Sequence, residues 1–113
     1  MMADLEDLRH RSERGQILKA LKEDYARAMT SMANLLGVLD AIAIHLDFEG
    51  LTFHLKYLAE QGYVQAWHAK DLPGYRRDRR SQGKPDDIRF VRLSAKGLQL
   101  LDGRIAEDPM VDF

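Results

Sequence analysis

The chain has 113 residues, of which 45% are hydrophobic and 31% charged, a composition typical of one globular domain with a single core. Acidic residues exceed basic ones by one, so any affinity for nucleic acid has to come from a local basic patch. The absence of cysteine excludes disulfides, thiolate metal sites and a cysteine nucleophile, and it favours a cytoplasmic location. No apolar run reaches the roughly 20 residues of a transmembrane helix, and the charged N-terminus does not resemble a secretory signal.

Residues 1–14 alternate acids and bases and contain few apolar side chains. They predict an N-terminal charged arm, either a frayed, solvated helix or a segment packed on a partner subunit, and the first alternative is favoured. From Gln16 to Met29 the apolar residues recur with the helical period, which predicts the first scaffold helix. Thr30 or Ser31 can cap a second helix, which we expect to end near Ala41 and to be followed by a turn.

The strongest helix signal in the chain spans Asp47–Gln61. Asp47 can accept hydrogen bonds from the free N–H groups of the first turn, so it is the expected N-cap. Gly62 follows at the point where a left-handed residue ends a helix at the least cost. The apolar residues of this helix recur at three- and four-residue spacing, which predicts one buried face formed by Phe48, Leu51, Leu55 and Leu58.

Two β-favouring segments, Val64–Lys70 and Ile88–Leu93, flank a polar loop and predict an antiparallel hairpin. Both segments alternate, so even- and odd-numbered residues of the second are expected on opposite faces of the sheet. Ser94 then caps a last helix, for which Gly103 is a suitable end. Helices followed by a small antiparallel hairpin predict an α+β domain.

Three features together resemble the winged helix-turn-helix superfamily, which includes ArsR-, MarR- and PadR-like regulators. They are the three helices before a hairpin, the helix exit LxxxLxxLxxxGYV that ends at Val64, and the junction RLSAKGL that starts at Arg92. The resemblance covers roughly residues 15–103. It implies a three-helix core, an antiparallel β-hairpin wing and a C-terminal helix over that range, followed by an acidic C-terminal tail, residues 104–113.

A narrower resemblance is to small winged-helix proteins of Mu-like phages and prophages. Three short stretches carry it: SMANLL from Ser31, YLAEQG from Tyr57, and GRIAEDP from Gly103. Winged helices bind DNA and also serve as protein-docking modules. The resemblance therefore implies a fold more specifically than it implies a function.

The loop between the two predicted strands is the main basic patch of the chain. It carries six basic residues and two acidic residues from Lys70 to Lys84. Guanidinium groups pair with phosphate oxygens, so such a loop can follow a DNA backbone or enter the minor groove. A solvated polar loop tip is the alternative. We expect the loop to contact double-stranded DNA through Lys70, Tyr75, Arg76, Arg77, Arg79, Arg80 and Lys84.

The helix Asp47–Gln61 is expected at the DNA major groove, although Glu49 and Glu60 on its outward side are not typical of a base-reading helix. The side chains expected to contact DNA from this helix are Thr52, Phe53, Lys56 and Tyr57. Phe53 and Tyr57 lie one turn apart and suit a protein partner equally well. The predicted function is DNA binding in transcription regulation, and the alternative is a protein-interaction module or a phage accessory protein.

Leu98, Leu100 and Leu101 cannot all face one small core, so part of the last helix, together with Leu5 and Leu8, is a candidate homodimer surface. Ordinary core packing is an equal alternative. The four histidines lack the i,i+4 spacing of a helical metal pair, and no carboxylate cluster accompanies them in the sequence, so we expect no metal site. The chain also lacks a nucleophile motif and a phosphate-binding glycine loop, so no enzymatic activity and no cofactor are expected.

Overall fold

The computed structural model of the protein describes residues 5–25, 29–76 and 84–113. Within these ranges the chain is α+β, with four α-helices and one small antiparallel sheet of three strands. This order is compatible with a winged-helix layout, and none of the described helices combines the length and the apolar character needed to cross a bilayer. The elements in chain order are α1 (Leu5–Glu23), β1 (Thr30–Ser31), α2 (Met32–Ala41), α3 (Phe48–Glu60), β2 (Val64–His68), β3 (Ile88–Leu93) and α4 (Ala95–Leu101).

The first helix begins earlier and ends earlier than its periodicity predicted. α1 starts at Leu5 and ends at Glu23, so residues 5–14 continue directly into the scaffold helix. Residues 5–9 are exposed, as a solvated helix requires, whereas residues 10–14 are half-buried or buried with one exception, Ser12. The burial has a physical cause, because side chains from residues 10–14 pack against α3 of the same chain.

The predicted helix caps are confirmed. Ser31 Oγ accepts a hydrogen bond from the Asn34 N–H at 3.1 Å, and Asp47 Oδ1 accepts one from the Gly50 N–H at 2.7 Å. These bonds satisfy first-turn N–H groups that have no partner within the helix. At the end of α3, Gly62 has a φ of +80°, the left-handed conformation that glycine adopts without steric cost.

The buried face of α3 differs from the prediction at two positions. Leu51, Leu55 and Leu58 are completely buried, as expected. Phe48 is 40% exposed and lies outside the core, whereas His54 is only 1% exposed. His54 occupies the i+3 position of the stripe that begins at Leu51, so helical spacing alone indicates burial there, and the imidazole takes a place usually held by an apolar side chain.

The sheet has the strand order β1-β3-β2, with β3 in the centre. The prediction that residues of β3 alternate strictly between faces is wrong. Trp67 pairs with Phe90, but the next residue, His68, pairs with Ile88, so that Arg89 is the extra residue of a β-bulge. Because of the bulge, an even-numbered residue, Ile88, is buried together with the odd-numbered Val91 and Leu93.

The RLSAKGL junction holds α4 against the end of α3 through backbone contacts. The Ser94 N–H donates to the Tyr63 carbonyl at 2.9 Å, and the Ser94 hydroxyl donates to the Gly62 carbonyl at 2.5 Å. Ser94 Oγ also accepts the Gly97 N–H at 3.0 Å, the predicted cap. A Cβ atom at Gly97 would lie 2.1 Å from the Tyr63 oxygen, so this close approach requires glycine.

The leucines of α4 belong to the core of the single chain. Leu100 is buried, and Leu98 and Leu101 are half-buried and pack against the core cluster. Leu5 and Leu8 remain exposed, at 84% and 43%. Core packing therefore accounts for α4, and the exposed apolar residues of the candidate homodimer surface are those on α1.

Candidate nucleic-acid interface

A shallow groove of about 440 Å³ lies between α3 and the returning end of the β2–β3 loop. We call it the α3 groove. It contains two cationic and two anionic side chains, and the residues Phe48 and Phe53 are 40% and 55% exposed. The groove is lined by Phe48, Glu49, Thr52, Phe53, Lys56, Lys84 and Asp87. Four of the predicted DNA contacts therefore meet in one place: Thr52, Phe53 and Lys56 from α3, and Lys84 from the loop. The hydroxyl oxygen of Thr52 is buried and has no hydrogen-bond partner.

The base of the loop is held by a short 3₁₀ helix, Ala69–Asp71, that follows β2. The Ala69 N–H donates to the Asp87 carbonyl at 2.8 Å, which joins the two sides of the loop and ends β2 two residues before the predicted Lys70. Lys70 Nζ donates to Asp86 Oδ1 at 2.9 Å, and this hydrogen bond raises the pKa of Lys70. Because both groups are exposed, Lys70 can exchange this carboxylate for a phosphate at little cost.

The predicted loop contacts are described only in part. Tyr75 is half-buried and Arg76 is exposed, and both lie where the loop leaves its base. Arg77, Arg79 and Arg80 lie outside the described residues. Lys84 is exposed where the chain returns, and its N–H donates to Asp87 Oδ2 at 2.8 Å.

Tyr57 does not line the α3 groove and instead faces the C-terminal segment. Its hydroxyl donates to the two carboxylate oxygens of Asp108 at 2.8 and 3.0 Å, and the Tyr63 hydroxyl donates to the same carboxylate at 2.9 Å. The Arg14 guanidinium lies 4.7 Å from the centre of the Tyr57 ring and donates to the Met110 carbonyl at 3.2 Å. Sequence reasoning missed this cluster because its members come from three separate parts of the chain.

The C-terminal segment 104–113 packs on α1 and α3. Val111 is buried, and the Asp112 N–H donates to the Arg11 carbonyl at 3.0 Å. At Asp108 desolvation opposes ionisation, but hydrogen bonds from the Met110 N–H and from the two tyrosine hydroxyls outweigh it and lower the pKa of the carboxyl group. The segment predicted as an acidic tail therefore uses one acid, the half-buried Asp108, as an anchor.

The cluster of Tyr57, Tyr63 and Asp108 predicts that these two tyrosines lose their protons at an unusually high pH. Burial, reinforced by the Asp108 carboxylate, raises the pKa of Tyr57 and of Tyr63 from 10.0 to about 12. The neutral hydroxyls therefore contribute stability that is present below pH ~10 and is lost as the pH rises towards 12. In an ultraviolet titration of tyrosinate, we expect Asp108→Asn to lower both pKa values part of the way, because burial remains. Asp102→Asn, near Lys22, is the control, and an unchanged titration in Asp108→Asn would contradict the assignment.

The fold also brings two histidines and a carboxylate together beside the groove. His10 and Glu13 on α1 and His54 on α3 place their ligand atoms within 4.8 Å of one another. The sequence showed no carboxylate cluster beside the histidines, and among the described residues the fold brings one carboxylate, that of Glu13, next to two of them. A signal was present on α1, where Glu6, His10 and Glu13 recur at helical spacing, but their partner comes from another helix.

Comparison of the chain with protein-family models, with curated proteins and with solved structures found no match.

Proposed function

We propose that the protein is a winged-helix DNA-binding protein, in which α3 lies at the major groove and the β2–β3 loop follows the phosphate backbone. One observation carries the proposal: Lys56 of α3 and Lys84 of the arginine-rich loop line the same groove. A helix and a basic loop that share one surface can contact a base edge and the neighbouring phosphates at once. Regulation of transcription is the use that this arrangement serves best.

The α3 groove supplies several kinds of contact to a duplex. The exposed ring of Phe53 can contact a thymine methyl group, and Glu49 can accept a hydrogen bond from a cytosine amine. Lys56 and Lys84 can each pair with a phosphate, and the arginines of the loop extend this cationic surface. Tyr57 is left out of the proposed contacts because Asp108 and Arg14 already hold its side chain.

We expect salt-sensitive binding to a labelled random duplex, measured by fluorescence anisotropy over a salt series. Each neutralised phosphate contributes about 0.9 to the slope of log K against log salt. The double variant Lys56→Ala/Lys84→Ala should therefore reduce the slope by about 2. Changing Arg76, Arg77, Arg79 and Arg80 together to alanine should reduce it by up to about 4 and remove most of the affinity.

The matched control is Lys22→Ala/Arg104→Ala, which removes two positive charges from residues that do not line the groove. This control should leave the slope nearly unchanged if binding is local to the α3 groove and the loop. Equal losses in the control and in Lys56→Ala/Lys84→Ala would indicate unspecific charge attraction. Absence of duplex binding at low salt would reject the proposal.

A protein-interaction module is the second candidate, and the exposure of Phe48 and Phe53 in one groove favours it. Exposed aromatic side chains are enriched at protein interfaces, and the carboxylates of Glu49 and Asp87 would repel phosphate. The anchors of this alternative are Phe48 and Phe53 rather than the predicted pair Phe53 and Tyr57. If the chain did not bind duplex DNA in the anisotropy experiment, a protein-interaction module would become the favoured function.

A further inference from the structure

We propose that His10, Glu13 and His54 bind a divalent transition metal ion, with Zn²⁺ as the best match. One nitrogen of each imidazole and one carboxylate oxygen lie within 4.8 Å of one another. The ligand atoms of a tetrahedral zinc site lie about 3.4 Å apart, because zinc–ligand distances are near 2.1 Å. Small side-chain rotations would therefore close this cluster around an ion without moving α1 or α3.

The burial of the three side chains suits a specific site. The side chains of His54 and Glu13 are 2% and 12% exposed, and that of His10 is 26% exposed, which leaves an approach from solvent. His54 Nε2 lies 3.0 Å from Glu13 Oε1, whereas His54 Nδ1 is buried with no hydrogen-bond partner. A hydrogen bond to Glu13 therefore satisfies only one of the two ring nitrogens, and it gives no reason for His10 to converge on the same place.

Glu13 lies between its neighbour Arg9 and the His54 ring. Arg9 approaches the outer oxygen of Glu13, Oε2, at 3.9 Å and leaves Oε1 facing the ring.

The ligand types identify the class of ion. Two imidazoles and one carboxylate form a set that favours Zn²⁺ and its transition-metal neighbours, whereas Mg²⁺ and Ca²⁺ prefer oxygen ligands. Glu6 Oε1 lies 4.0 Å from His10 Nε2, one turn earlier on α1, so a further carboxylate borders the site. An ion bound here would join α1 to α3 beside Phe53, whose ring centre lies 5.6 Å from that of His10. This proposal is independent of DNA binding.

The test is a calorimetric titration of the full, tag-free chain with Zn²⁺, together with the visible spectrum of its Co²⁺ complex. We expect one ion per chain and the intense visible bands of tetrahedral Co²⁺. His10→Gln and Glu13→Gln should each weaken binding by at least about 100-fold, more than the loss of an outer-shell partner costs. His45→Gln, an exposed histidine that pairs with Asp40, is the matched control and should leave the affinity unchanged.

Thermal unfolding separates a metal site from a structural role, because His10 and Glu13 are less buried than His54 and their variants should fold. Zn²⁺ should raise the Tm of the native chain but not that of His10→Gln. Mg²⁺ should change neither Tm. Binding of Zn²⁺ with equal affinity by the native chain and by His10→Gln and Glu13→Gln would overturn the proposal. Absence of stoichiometric binding to the native chain would also overturn it.

Discussion

Gly97→Ala should lower the free energy of unfolding by about 3 kcal/mol or more, at the upper end of what overpacking costs. The added Cβ atom would lie 2.1 Å from the Tyr63 carbonyl oxygen and 2.7 Å from Leu93 Cδ1. The carbonyl cannot move aside freely, because it accepts the Ser94 N–H that fixes the start of α4. Relief of the clash therefore requires α4 to separate from the end of α3.

Gly37→Ala is the matched control for this substitution. Gly37 lies inside α2, is exposed, and an added Cβ atom would have no neighbour within 4 Å. Alanine is the better helix former, so we expect this variant to be more stable by about 1 kcal/mol. Urea unfolding of the native chain and both variants measures the effects, with the m-value as a check on compactness. If Gly97→Ala unfolded at the native urea concentration, the close approach of α4 to Tyr63 would be refuted.

Gly15→Ala should release the C-terminal segment 104–113 from α1. A Cβ atom at Gly15 would lie 1.7 Å from the Asp112 carbonyl oxygen, a distance that no side-chain rotation can relieve. Displacement of Asp112 would break its N–H bond to the Arg11 carbonyl and would expose Val111. Val111 is the one fully buried residue that this segment contributes to the core cluster, so the rest of the domain should stay folded.

Amide hydrogen exchange measures this release directly. In Gly15→Ala we expect the Val111 and Asp112 amides to exchange at least about tenfold faster, while the amides of α3 keep their protection. The titration of Tyr57 and Tyr63 should move towards ordinary values together with the exchange, because Asp108 leaves with the segment. Unchanged protection at Asp112 would show that the segment is not held by its contact at Gly15.

Much of the fold was predictable because its signals are local. Hydrogen bonds from Ser31, Asp47 and Ser94 to nearby backbone N–H groups act within one turn, and they begin α2, α3 and α4 where the sequence predicts. The burial of Leu51, Leu55 and Leu58 follows from helical periodicity alone. The bulge at Arg89 was not predictable, because it depends on the register between two strands.

The candidate sites were predictable only where one segment carries the signal. The basic loop is a local charge pattern, and the sequence alone indicates it. Tyr57 shows the limit of this reasoning, since its aromatic type and helical position suggested an exposed contact. Its actual partner is Asp108, 51 residues away, and no periodicity in α3 indicates a carboxylate from the end of the chain.

The sequence by itself determined the order of the four helices and the two hairpin strands, the helix caps, the leucine face of α3 and the basic loop, because each depends on residues a few positions apart. It did not predict β1 (Thr30–Ser31), which forms only by pairing with the distant β3. Only the tertiary structure decided that Lys56 and Lys84 share a groove and that the end of the chain anchors Tyr57. It also decided that His10, Glu13 and His54 converge. The physical reason is that α1 crosses α3 at a position set by the packing of the whole core, and pairs as distant as Glu13 and His54 meet only after that packing is complete.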